Sequence, residues 1–181
     1  MFNMLDAHIS LESLLWLFPL SFLLHDFEEI IFVEAWFKIN KEKVAHRIPA
    51  TFQKTFQDMS TTTAAQFSIP VFFQLVLYII ATYLAVEQHF YYMFVGFNLI
   101  LFLHVFIHLG QSIFLRVYAL GAGTALCITL PYSFYLFYRL LTENLISMID
   151  LVYSLPFGLA TIFVVFIGHH VAPKIVPKIT A

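Results

Sequence analysis

Five stretches, near residues 11–37, 64–86, 90–110, 117–140 and 145–168, are each about twenty or more predominantly apolar residues long. At a rise of about 1.5 Å per residue, about twenty helical residues cross the ~30 Å hydrocarbon core of a bilayer. The pattern predicts an all-α chain, a polytopic bundle of about five transmembrane helices. Composition agrees: 61% of the 181 residues are hydrophobic, 11% are charged and the mean hydropathy is +0.86, far from an ordinary soluble domain. The longest polar stretch, 38–66, is too short to bury a core of its own, so residues 1–181 read as a single integral membrane domain.

Charge placement sets the expected orientation. Lys38, Lys41, Lys43, Arg47 and Lys54 follow the first run, Arg116 follows the third, and Lys174 and Lys178 close the chain; Arg139 alone falls on the other side. The positive-inside rule then puts the long loop and the C-terminus in the cytoplasm and the N-terminus outside, as five spans require. The first run has no basic lead and no clear cleavage site, so it reads as a retained span rather than a signal peptide. Scattered cations make no nucleic-acid surface. Cys127, the single cysteine, is expected to act as a small core hydrophobe. Tyr132, Tyr135 and Tyr138 suit an outer interfacial belt.

The first run carries His25-Asp26-Phe27-Glu28-Glu29. A charged side chain at mid-bilayer costs roughly 2.5–3.5 kcal/mol on insertion scales, so such residues need partners or a metal. At 100° per residue, His25 lies about 60° from Glu28 and about 40° from Glu29, so one helix face can present an imidazole and two carboxylates. Asp26, about 100° away, is a poorer ligand and a better supporting or interface residue.

The third run carries His104 and His108, four residues and about 40° apart, with Gln111 on the same stripe. Two imidazoles at this spacing can chelate one ion, as in the H-E-x-x-H helix of zinc enzymes, although the intervening glutamate is absent. Both motifs lie past the midpoints of spans running in the same direction, at matching depths of about 5 to 11 Å toward the cytoplasm. The candidate metal ligands are therefore His25, Glu28, Glu29, His104 and His108, and the candidate catalytic residues are Glu28 and Glu29. Imidazole with carboxylate suits zinc, iron or manganese without selecting among them. Gln74 lies near the same level, His169 and His170 lie nearer the cytoplasmic boundary, and Asn98 suits an interhelical hydrogen bond.

The H-x-x-E-E pattern of His25, Glu28 and Glu29, set in an apolar helix of a small multi-span chain, resembles the HXXEE-domain family of bacterial membrane proteins. That resemblance implies a bacterial inner-membrane location and an enzymatic role for the intramembrane motifs. The residues themselves favour a metal-dependent hydrolase of a lipid or other membrane-delivered substrate, with the histidines as nitrogen ligands and a glutamate as oxygen ligand or general base. Three alternatives remain. His104-x-x-x-His108 with His169-His170 resembles the histidine boxes of membrane oxidoreductases, but with fewer histidines and with added glutamates. Glu28-Glu29 with histidines on other spans resembles metal-free glutamate intramembrane proteases. An ion or proton carrier would also place titratable groups at mid-membrane.

Overall fold

The computed structural model describes residues 3–177, so Lys178 lies outside the described residues. Every element among them is helical: α1 (Asn3–His8), α2 (Leu11–Val44), α3 (Gln53–Met59), α4 (Ala64–Gln88), α5 (Tyr91–Leu115), α6 (Ala122–Thr124), α7 (Leu130–Thr142) and α8 (Met148–Ile175). Helices α4, α5 and α8 are long and apolar enough to cross a membrane. Carboxylates concentrate in α2, which runs unbroken past Pro19, and a π-helical turn over Ala125–Thr129 separates α6 from α7 within one helical stretch.

Local chemistry explains the boundaries. Ser10 caps α2 by accepting from the Ser13 amide at 3.1 Å. Thr63 and Gln66 form a capping box at α4, and Ser147 and Asp150 form another at α8. Helices α4 and α5 end where His89 and Arg116 turn left-handed, both at φ 54°. The fourth apolar run starts its helix only at Ala122, because residues 117–121 form a connection. In the last run the helix continues beyond residue 168, through Pro173 to Ile175.

In lipid, helices gain little from apolar burial against each other, so close packing and interhelical hydrogen bonds must hold them. Two glycine contacts provide the closest approaches. A Cβ on Gly158 of α8 would stand 2.5 Å from the Gly96 carbonyl of α5, and one on Gly168 would stand 2.5 Å from Pro70 Cα of α4. Between α2, α4 and α5 lies an aromatic layer: Tyr78 sits 4.7 Å from both Phe18 and Phe22 and 5.0 Å from Phe97.

Several side chains depart from the expected placement. Tyr132 and Tyr135 turn into the bundle, where their hydroxyls donate to the Leu14 carbonyl at 3.2 Å and to Asp6 at 2.9 Å. Asn98 bonds within its own helix, donating to the Phe94 carbonyl at 2.9 Å. Cys127 is exposed on the bundle surface and lies within the π-helical turn. In the connection 45–63, Pro49, Phe52, Phe56 and Met59 line one side of a cavity. Gln53 pins this segment by donating to the carbonyls of Ala45 and Ile48, and Arg47 by donating to the Leu115 carbonyl.

Candidate metal centre

His25 and Glu29, one helical turn apart on α2, face His104 and His108, one turn apart on α5. One ligand atom from each of the four lies within 4.8 Å of all the others. His108 Nε2 is the hub, 2.8 Å from His104 Nε2 and 3.2 Å from Glu29 Oε1. The His25 ring meets the His108 ring edge-on at 5.0 Å between centroids. His25 and His108 are buried, and His104 and Glu29 nearly so.

A third element completes the wall. The connection after α5 brings Gly121 against the cluster at φ 82°, where a Cβ would stand 2.6 Å from Glu29 Oε1 and 2.9 Å from Cε1 of both His25 and His108. Only glycine fits such a place, by space and by backbone conformation. Three residues later, the Thr124 hydroxyl donates to Glu28 Oε2 at 2.6 Å and lies 3.1 Å from His25 Nδ1. With its proton committed to the carboxylate, Thr124 can only accept from His25. Nδ1 therefore carries the proton, and Nε2 keeps its lone pair free for a ligand. A metal-bound histidine is commonly fixed by its second nitrogen in this way.

Glu28 is not among the converging groups. Its carboxylate caps the start of the 122–142 helical stretch, accepting from the Thr124 amide at 2.8 Å, from the Thr124 hydroxyl and from the Tyr118 hydroxyl. A carboxylate at a helix N-terminus is favoured by both the orphan amides and the dipole. Tyr118 in turn accepts from the Gly123 amide at 2.6 Å, and its carbonyl accepts from Trp36 Nε1 at 2.6 Å. Outside the membrane-spanning segments, burial and the bond to Glu28 hold the Tyr118 hydroxyl above its ordinary pKa, so it stays a donor at neutral pH.

The donor set fits a divalent transition metal. Four ligands about 2.0–2.1 Å from a tetrahedral ion stand about 3.3 Å from one another, close to the separations around His108 Nε2. Without an ion, His108 Nε2 has one proton at most to share between two neighbours. Three imidazoles and a carboxylate match zinc, iron or manganese.

Beside the cluster lies a cavity of about 690 Å³, within the range of small-molecule sites and walled mostly by apolar side chains of α2, α4, α5 and α8. His25, Glu29, His104 and His108 line one part of it. Gln111 lines it too, and His169 does so against Phe67 at 5.7 Å, away from the other histidines; His170 faces Lys174 instead.

A family model, described as a protein of unknown function with HXXEE motif, matches residues 16–136. The chain belongs to the HXXEE family. No curated protein and no solved structure matches it. In this HXXEE protein the motif letters divide their work: His25 and Glu29 turn toward the histidines of α5, while Glu28 ties α2 to the 116–124 connection. Sequence reasoning missed Tyr118, Gly121 and Thr124. Their one signal was the small-residue run Gly121-Ala122-Gly123-Thr124, which reads equally well as close helix packing.

Proposed function

We propose that this chain is a membrane-embedded, metal-dependent hydrolase acting on a lipid or other membrane-delivered substrate. One observation carries the reading: four nitrogen and oxygen donors converge on the wall of a large apolar cavity. Bound there, a divalent ion would polarise a carbonyl oxygen and make water a competent nucleophile at neutral pH. His25, His104 and His108 supply neutral nitrogens, with His25 held in the ligating tautomer by Thr124. Glu29 either completes the ligand set or takes the proton of the attacking water. Glu28 positions the 116–124 connection. In the net reaction, water cleaves an acyl ester or amide; the hydroxyl stays on the acyl carbon, and a proton goes to the leaving oxygen or nitrogen.

The same reading places the chain in a bacterial inner membrane as five spans, N-terminus outside and C-terminus cytoplasmic. Helices α4, α5 and α8 are three of the spans. We add α2, about 51 Å long over 34 residues, and the 21-residue stretch 122–142, about 31 Å long. Two of the carboxylates that raise the polarity of α2, Glu29 and Glu28, are ones that a buried metal centre and a helix cap would neutralise.

The test is release of free fatty acid from defined acyl esters and amides by the purified, zinc- or iron-loaded protein in lipid nanodiscs. Release that disappears in His104→Ala is the expected result. Undiminished release in that variant, or none from any ester or amide with the metal bound, contradicts the hydrolase reading.

A further inference from the structure

Asp26 stands out among the buried groups of α2. It is 7% exposed, its Oδ2 is fully buried without a hydrogen-bond partner, and its side chain lines the cavity. A buried carboxyl with no donor costs several kcal/mol even after relaxation. The cluster of histidines does not relieve it, since Asp26 is not among the four converging groups. Its polar neighbours are Glu29 on its own helix and the Tyr78 hydroxyl on α4.

Tyr78 belongs to a second polar group on the same cavity wall. Its hydroxyl lies 3.3 Å from Gln74 Oε1 and 3.1 Å from Thr161 Oγ1 of α8, so α4 contributes two polar side chains to the group and α8 one. Gln74 Oε1 receives both hydroxyls, at 3.3 and 3.4 Å, which leaves the donors of its amide nitrogen unused. Around these groups the wall is apolar, with Phe22 and Val71 nearby and Trp36 and Phe56 toward the 45–63 segment.

We propose that Asp26 and Gln74 form a head-group subsite, which takes the small hydroxyl- or amine-bearing head of a single-chain acyl lipid. The assignment rests on the hydrolase reading for what happens next to the head, but the subsite itself is defined by binding. Spacing along α2 fixes the order of parts. Asp26 lies three residues, about 4.5 Å, from Glu29, and Trp36 lies ten residues, about 15 Å, from Asp26 in the opposite sense from Phe22. A head hydrogen-bonded to Asp26 puts an ester or amide two or three atoms away beside the histidines. The acyl chain then runs toward Trp36 and the apolar cover formed by Phe52 and Phe56. A short polyol or amino-alcohol head matches this set, with Asp26 as acceptor and the Gln74 amide as donor.

The protein contains two tryptophans, and Trp16→Phe leaves Trp36 as the sole reporter in the cavity. Probes are a glycerol monoether of an alkyl chain brominated at its far end, and the methyl ether of the same chain. Neither can be hydrolysed. Full-length protein in nanodiscs is expected to show saturable quenching of Trp36 by the glycerol ether, and binding of the methyl ether about tenfold weaker or worse. Asp26→Leu should erase that preference, and Gln74→Leu should reduce it if the first variant does not fold. Equal binding of the two ethers by the unaltered Asp26 protein, or a preference that survives both substitutions, overturns the proposal. Metal content measured on the same samples separates the two readings: a retained preference without metal sinks the hydrolase, and bound metal without a preference sinks the head-group subsite.

Discussion

The Nε2 atoms of His104 and His108 stand 2.8 Å apart, with Glu29 Oε1 3.2 Å from the second of them. A hydrogen bond between the two imidazoles accounts for the first contact, and one ion would account for both contacts at once. A hydrogen bond between them uses one proton and leaves the glutamate competing for it. A shared ion would satisfy all three, together with His25.

The adjacent glutamates are expected to behave differently. Glu29→Gln should abolish stoichiometric metal binding while leaving thermal stability of the metal-free protein nearly unchanged. Glu28→Gln should keep the metal and lower stability by about 1–3 kcal/mol, because charge-assisted bonds to Thr124 and Tyr118 weaken. Metal content and thermal unfolding of both variants check this. The reverse pattern would mean that Glu28 is the ligand.

Thr124 acts on the centre through His25. Thr124→Val keeps the shape and removes the hydroxyl, so metal affinity should fall about 10–100-fold, the usual cost of losing a partner behind a ligand. Thr124→Ser should restore most of it. Competition with a chelator of known affinity gives the numbers, and no difference between Val and Ser would remove Thr124 from the account.

Gly121→Ala tests the wall of the site. The new Cβ would stand within 2.6–2.9 Å of Glu29 and two histidine rings, at a φ that disfavours any side chain. We expect metal loss with helical content retained. Gly110→Ala, where nothing lies within 4 Å, serves as the control and should change neither.

Much of this arrangement was legible in the residues. Helical periodicity alone pairs His25 with Glu29 and His104 with His108, and matching depth brings the pairs together, because both facts follow from helix geometry. The division between Glu28 and Glu29 was not legible. They differ by about 100° around the helix, and which of them meets histidine depends on where the 116–124 connection places an open helix start. That connection is itself disguised in the sequence, since residues 117–121 are apolar enough to read as part of a span. Asp26 was placed off the ligand face, as observed, but its lack of a partner depends on how α4 packs beside it. The π-turn that contains Cys127 has no sequence marker beyond small and β-branched residues.

Orientation can be checked independently of chemistry. In a Cys127→Ser background, a cysteine introduced at Lys41 should be labelled by a membrane-impermeant maleimide only after the cytoplasmic side is opened. Labelling from outside in intact cells would reverse the topology.

The most direct measurement is elemental analysis of the full-length protein, purified from cells supplied with zinc, iron and manganese, beside His104→Ala and His108→Ala. The account predicts close to one equivalent of a single transition metal in the unaltered protein and its loss in both variants, since removing one of four ligands weakens binding steeply. An unaltered protein that carries no metal under those conditions, or variants that retain it in full, would contradict the claim that His25, Glu29, His104 and His108 form a metal centre.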